Sequence, residues 1–189
     1  MSDSLTPDPA RWVTESMRAE AARNPGSWVY AIDPFVDPAG RVPPYAILGA
    51  WKVDDQGEIT DEFRGNSKYR PSPQVMGMSE PTDPVDAAIQ LAASGYGPEA
   101  EVCKTLVASS VFLTLEAAIG IGGEAGAVQG RCIVEVFTDV RHAPSVVPEL
   151  RKMDVRRLAA SLPIDSYLKL NPGSSVSVEV PVVDLLNQE

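Results

Sequence analysis

Apolar residues recur along the chain with two different periods, and each change of period marks an element. Near the start Val13, Met17 and Ala21 stand four apart, a stripe that predicts a helix. Asp8 is placed to cap it with Pro9 at its first position, and Asn24-Pro25-Gly26 ends it. From Trp28 the period falls to two: Trp28–Ile32, Tyr45–Val53 and Ile59–Phe63 read as strands, with Asp54-Asp55-Gln56-Gly57 as the turn between the last two. The join from Asp33-Pro34 to Pro43-Pro44 is too long for a tight hairpin. Residues 66–84 hold Pro71, Pro73, Pro81 and Pro84, a density that predicts an extended arm draped over a surface.

Helical spacing then returns. Asp83 caps and Pro84 opens a helix whose Val85, Ala88, Ile89 and Ala92 form an apolar face, with Asp86 in its first turn and Gly95 as its stop. A second helix after Pro98 carries Val102, Cys103, Leu106 and Val107 on one side. Strands are expected at Val111–Leu115 and Arg131–Phe137, with a glycine-rich loop (120–130) between them. A helix is expected from Met153 to Ala160, with Val155, Leu158, Ala159 and Leu162 inward. Leu168–Leu170 and Val176–Val182 close the chain as strands, the valines of the last alternating with Ser177, Glu179 and Pro181. Hairpins and helices without a strict βαβ rhythm predict an α+β fold, a mostly antiparallel or mixed sheet packed by helices. The expected division is an N-terminal helix (1–27), a β extension with the proline-rich arm (28–83) and an α+β core (84–189), with 28–189 forming one compact unit.

Composition narrows the function classes. With 44% hydrophobic and 22% charged residues the chain has enough apolar material for a core without staples. A net charge of −10 argues against nucleic acid, whose phosphates are bound through Lys and Arg, and against an anionic membrane surface. Residues 1–10 lack a basic stretch followed by an apolar run, and nowhere do 18 uninterrupted apolar residues occur. Neither a classical signal peptide nor a membrane span is therefore expected, and the expected location is cytoplasmic.

Residues with chemical potential are few. Gly120-Ile121-Gly122-Gly123-Glu124-Ala125 fits a dinucleotide fingerprint in letters alone. It leads into a strand instead of opening a helix, and Glu124 would repel a phosphate, so it reads as a hairpin loop. Cys103 and Cys132 read as small core residues, and His142, the single histidine, as a surface or capping residue. No metal site, catalytic residue or cofactor is expected. The carboxylates from Asp54 to Glu62 read as a solvated sheet edge, and the basic pairs Arg151-Lys152 and Arg156-Arg157 as local charge balance. The candidate partner-contact set is Trp51, Lys68, Tyr69, Arg70 and Pro71, chosen because aromatic and arginine side chains dominate interface energies and prolines lower the entropy cost of presenting them. The alternative is an arm packed on its own domain, with Tyr69 as its internal anchor. The edges Trp28–Ile32 and Val176–Val182 are available to pair with a second copy.

Several stretches resemble a known family. Gly130–Thr138 (GRCIVEVFT) and Leu168–Gly173 (LKLNPG) resemble the SseB N-terminal domain. Val42–Trp51 (VPPYAILGAW), Asn66–Pro73 (NSKYRPSP) and Pro81–Pro98 (PTDPVDAAIQLAASGYGP) resemble the type VII secretion system-associated proteins of actinobacteria. The resemblance covers about residues 28–182 and implies an SseB-like core with an N-terminal β extension, in secretion-system surroundings, with no catalytic residues to carry over. Substrates of that system are expected to carry Y-x-x-x-[DE]; here Pro34, Gly49, Pro73, Ala100 and Asn171 stand four positions after the tyrosines. The expectation is a non-catalytic, protein-binding accessory or adaptor. The alternatives are an immunity protein neutralising a neighbouring toxin, and an enzyme or small-ligand binder with unfamiliar residues.

Overall fold

The computed structural model describes residues 12–115, 117, 127–128, 131–146 and 149–188. The chain divides into two compact units, Met1–Gly77 and Met78–Glu189. The division falls inside the proline-rich arm, where 28–189 was expected to be continuous.

In the first unit, helix α1 (Glu15–Arg23) begins at Thr14, whose hydroxyl accepts from the Met17 amide. The expected start at Asp8 and Pro9 lies outside the described residues, and Val13 precedes the helix. Three strands, β1 (Trp28–Ile32), β2 (Ile47–Val53) and β3 (Ile59–Gly65), form an antiparallel sheet in that order. Tyr45 and Ala46 belong to a 3₁₀ turn that leads into β2. Met17 and Ala21 of α1 bury against Val29, Ala31, Leu48, Trp51 and Val53, so the N-terminal helix is part of this unit's core. Gly49 is obligatory: a Cβ there would lie 2.5 Å from the Arg64 carbonyl oxygen and would overlap the Phe63 ring.

The second unit opens with α2 (Pro84–Ser94), capped by Asp83, which accepts from the amides of Val85 and Asp86, and ended by Gly95 at φ 73°. Next come α3 (Glu99–Val107), β4 (Ser110–Thr114), β5 (Ala127–Val128), β6 (Arg131–Val136) and β7 (Leu150–Asp154). Helix α4 (Val155–Ala160), β8 (Tyr167–Leu170), β9 (Val178–Pro181) and α5 (Val182–Leu186) complete it. One sheet has the order β5-β6-β8-β9, with β6 and β8 parallel and the outer pairs antiparallel; β4 and β7 form a two-stranded antiparallel sheet. Phe112 and Phe137 exchange a pair of 2.7 Å backbone hydrogen bonds between the two. Ile89, Leu106, Leu113, Val136, Leu158, Leu168 and Leu185 bring α2 to α5 and three strands into one cluster. Fully burying such a side chain contributes about 1.5–3 kcal/mol. The fold is α+β with antiparallel and mixed sheets.

Two elements differ from expectation. Met153 lies within a strand and does not begin a helix: Leu150–Asp154 pairs with β4 along its whole length, and the Asp154 carboxylate then caps α4. The final strand stops at Pro181, whose lack of an N–H suits a helix start, and Val182 and Leu185 become the buried face of α5. Segment 120–126 and residues 129–130 of the glycine-rich loop lie outside the described residues. Among the described residues no helix is long and apolar enough to cross a membrane.

Candidate partner-binding site

Strand β1 is an edge strand, and its hydrogen-bond parity is fixed at both ends. Val53 donates to the Ser27 carbonyl at 2.9 Å and Asp33 donates to the Ala46 carbonyl at 2.8 Å. Odd-numbered residues therefore turn their backbone groups toward β2. Trp28, Tyr30 and Ile32 turn theirs the other way, where no described strand lies. This edge opens on a groove of roughly 960 Å³ whose other wall is α1 along its length, with Trp12, Met17, Tyr30, Ile32 and Val36 among its lining. Tyr30 is 55% exposed. The indole Nε1 of Trp12 is buried and has no hydrogen-bond partner among the described residues. On the sheet face beside Tyr30, the Arg64 guanidinium lies 4.1 Å and the Lys52 ammonium 5.5 Å from the Trp28 ring centre. Arg64 also pairs with Glu62 at 3.2 Å.

The sequence-derived contact set divides. Trp51 is 5% exposed, its ring 4.4 Å from that of Phe63, so it is core and presents no surface to a partner. Tyr69 packs against the same core and donates to Asp33 Oδ2 at 2.9 Å. Asp33 is fully buried and also accepts from the amides of Ser72 (3.1 Å) and Phe35 (3.0 Å), which is how a carboxylate is held away from water. The Arg70 amide donates to the Tyr45 carbonyl, and its guanidinium lies 5.8 Å from the Tyr45 ring. The arm is thus fastened to its own unit through Tyr69, Arg70 and Ser72, while Lys68, Arg70 and Pro71 keep exposed side chains. Trp12, Tyr30 and Ile32, which border the groove, were absent from the set. Tyr30 and Ile32 had a signal, as alternate positions of a strand already recognised as an edge.

In the second unit a polar junction gathers residues far apart in sequence. Asn171, fully buried at φ 49°, accepts from the Thr138 amide at 2.8 Å, and its Nδ2 donates to Thr138 Oγ1 at 2.9 Å. Thr138 Oγ1 in turn lies 2.7 Å from Asp83 Oδ2, the cap of α2. Beside it stands His142, expected as a surface or capping residue, with a side chain only 12% exposed. Its Nε2 lies 2.8 Å from Thr82 Oγ1 and 3.5 Å from Asp86 Oδ2, and its Nδ1 lies 2.9 Å from Ser174 Oγ. Sequence separations of 32 and 60 residues explain why no motif announced these partners. The imidazole thus joins Ser174 to Thr82 and Asp86 at the start of α2, which ties these segments together. Asp139 accepts from Arg141, and that hydrogen bond, with the Arg141 amide second, holds its carboxyl down at about 2. The Arg141 guanidinium also donates to the Thr82 carbonyl at 2.7 Å.

Burial, and then the Asp184 carboxylate, push the Cys103 thiol up, away from the thiolate a nucleophile needs. Among the described residues no group of three His, Cys, Asp or Glu is arranged to hold a metal ion. Comparison with protein-family models, curated proteins and solved structures finds no match for this chain.

Proposed function

We propose that this chain is a non-catalytic, cytoplasmic protein-binding accessory, and that its setting is type VII secretion. The observation that carries the binding role is the edge of β1, which no described strand pairs, beside the groove at Trp12 and Tyr30. Native sheets usually cover such an edge or blunt it with charge. Here Tyr30, its central outward residue, is a large exposed aromatic. The setting is supported by the resemblance of Val42–Trp51, Asn66–Pro73 and Pro81–Pro98 to secretion-associated proteins. A net charge of −10 favours a partner with a basic surface.

Affinity capture of the full tagged chain from its native cytosol, with mass spectrometry and reciprocal capture, tests the reading. A secretion component recovered in both directions is the expected result. Recovery of a toxin encoded nearby would assign immunity instead, and generic chaperones alone would sink the binding role.

A further inference from the structure

We infer that the edge of β1 takes an extended peptide of a partner protein, apolar at alternate positions and basic at a flank, as an added strand. This deepens the binding role proposed above and rests on it. Three kinds of complementarity lead to it.

The first is hydrogen bonding. Trp28, Tyr30 and Ile32 each present one amide donor and one carbonyl acceptor at the open side of the sheet, the register an incoming strand requires. A β1 of five residues spans about 16 Å at 3.3 Å per residue, so a segment of about five or six residues matches it.

The second is shape. A strand beside β1 alternates its side chains. One set would enter the groove toward Trp12 and Met17, and the other would lie beside Tyr30. That arrangement, a helix flanking a free strand edge, gives affinity through the main chain and selectivity through alternate pockets. The Trp12 indole N–H is a donor without a partner among the described residues, and leaving such a group unpaired costs about 1–3 kcal/mol. A ligand carbonyl reaching it on adjustment of the groove wall would remove that cost.

The third is charge. The charged residues of the groove are Glu20, Arg23 and Asp33. Asp33 is occupied by Tyr69, Ser72 and Phe35, and Arg23 Nε donates to the Ala19 carbonyl. Glu20 enters no ion pair among the described residues. Glu20 is thus an available counter-charge for a lysine or arginine of the ligand, with the Arg23 guanidinium the one cation among the described residues of the lining. The net charge of −10 favours the same sign of ligand.

The experiment pans a phage-displayed library of random twelve-residue peptides on the full chain and measures an enriched synthetic peptide by fluorescence anisotropy. Enriched sequences should alternate apolar residues and carry Lys or Arg. The bound peptide should slow hydrogen exchange at the Tyr30 and Ile32 amides. Tyr30→Pro removes an outward N–H without touching the β1–β2 ladder, and should weaken binding at least tenfold. Glu20→Lys should weaken it severalfold, and less at high salt. If Tyr30→Pro fails to fold by circular dichroism, the exchange protection in the unaltered chain decides alone. No enrichment, protection elsewhere, or binding indifferent to Tyr30→Pro overturns the inference. So does a concentration-dependent dimer that protects the same amides without binding peptide, which would give the edge to a second copy. A native partner that still binds the Tyr30→Pro chain sinks this inference alone. Library peptides seated on the edge with no native partner would leave it standing and remove the secretion reading.

Discussion

Replacing Asn171 by alanine should cost the second unit about 2–4 kcal/mol. The figure comes from two separable losses. Asn171 Oδ1 is the acceptor for the buried Thr138 amide, and alanine leaves that donor unpaired, at about 1–3 kcal/mol. The backbone at Asn171 is left-handed, with φ 49°, which asparagine tolerates and alanine adopts at about 1 kcal/mol or more. Thr138 Oγ1 keeps its bond to Asp83, so the cap of α2 survives. Asn171→Gly separates the two terms, because it relieves the backbone strain and leaves the amide equally orphaned; it should be about 1 kcal/mol less costly than alanine. The assay is urea unfolding followed by far-UV circular dichroism, since all three tryptophans precede residue 78 and their fluorescence does not report on this unit. A cost for alanine below about 1 kcal/mol, or glycine no better than alanine, would refute the assignment of Asn171 as the keystone of this junction.

Three further outcomes follow from the geometry. Tyr69→Phe removes one of three donors to the buried Asp33 and should destabilise the first unit by about 1.5–3 kcal/mol, read by tryptophan fluorescence; an unchanged midpoint would mean the carboxylate does not depend on it. Gly49→Ala forces a methyl group against the Phe63 ring and the Arg64 carbonyl and should cost about 1–3 kcal/mol or more by the same readout, whereas tolerance would show that β2 and β3 separate easily there. Asp139 has a folded pKa of about 2 against an ordinary 3.8, so the unfolded chain binds more protons between those values. Its contribution is complete above pH 3.8 and fades as pH falls toward 2. Asp139→Asn should therefore flatten that part of the stability profile, and an unaltered profile would remove the Arg141 pairing as its cause.

Where the sequence is legible, a local physical rule decides the structure. Asp83, Pro84 and Gly95 mark α2 because cap, first turn and left-handed stop are each chemically distinctive. The Asp54–Gly57 turn is equally local: the Asp54 carboxylate accepts from the Gln56 and Glu58 amides. Strand β7 is illegible because Arg151 and Lys152 are both exposed in a strand whose single ladder partner is β4, so alternation fails where it should appear. Helix α5 hides in a run of valines, whose β-branching favours strand until tertiary burial of Val182 and Leu185 overrides it. The groove is illegible for a different reason. It joins Trp12 to Val36 across a helix and a strand, and an edge is a property of the finished sheet.

The stretches that carry the resemblance have a physical meaning of their own. Thr138 ends one of them, Asn171 lies in a second, and Asp83 with Thr82 and Asp86 lies in a third; their side chains meet in a single hydrogen-bonded junction. Each choice there is constrained by burial, by a left-handed backbone or by a helix cap. Such constraints preserve an architecture whatever the protein binds. That junction therefore holds the second unit together, and recognition is better sought where geometry leaves side chains open. The exposed arm residue Lys68 meets that description, but its amide already donates to Asn66 Oδ1. The edge at Tyr30 combines an exposed side chain with main chain that no described strand pairs, and that combination is what adding a strand requires.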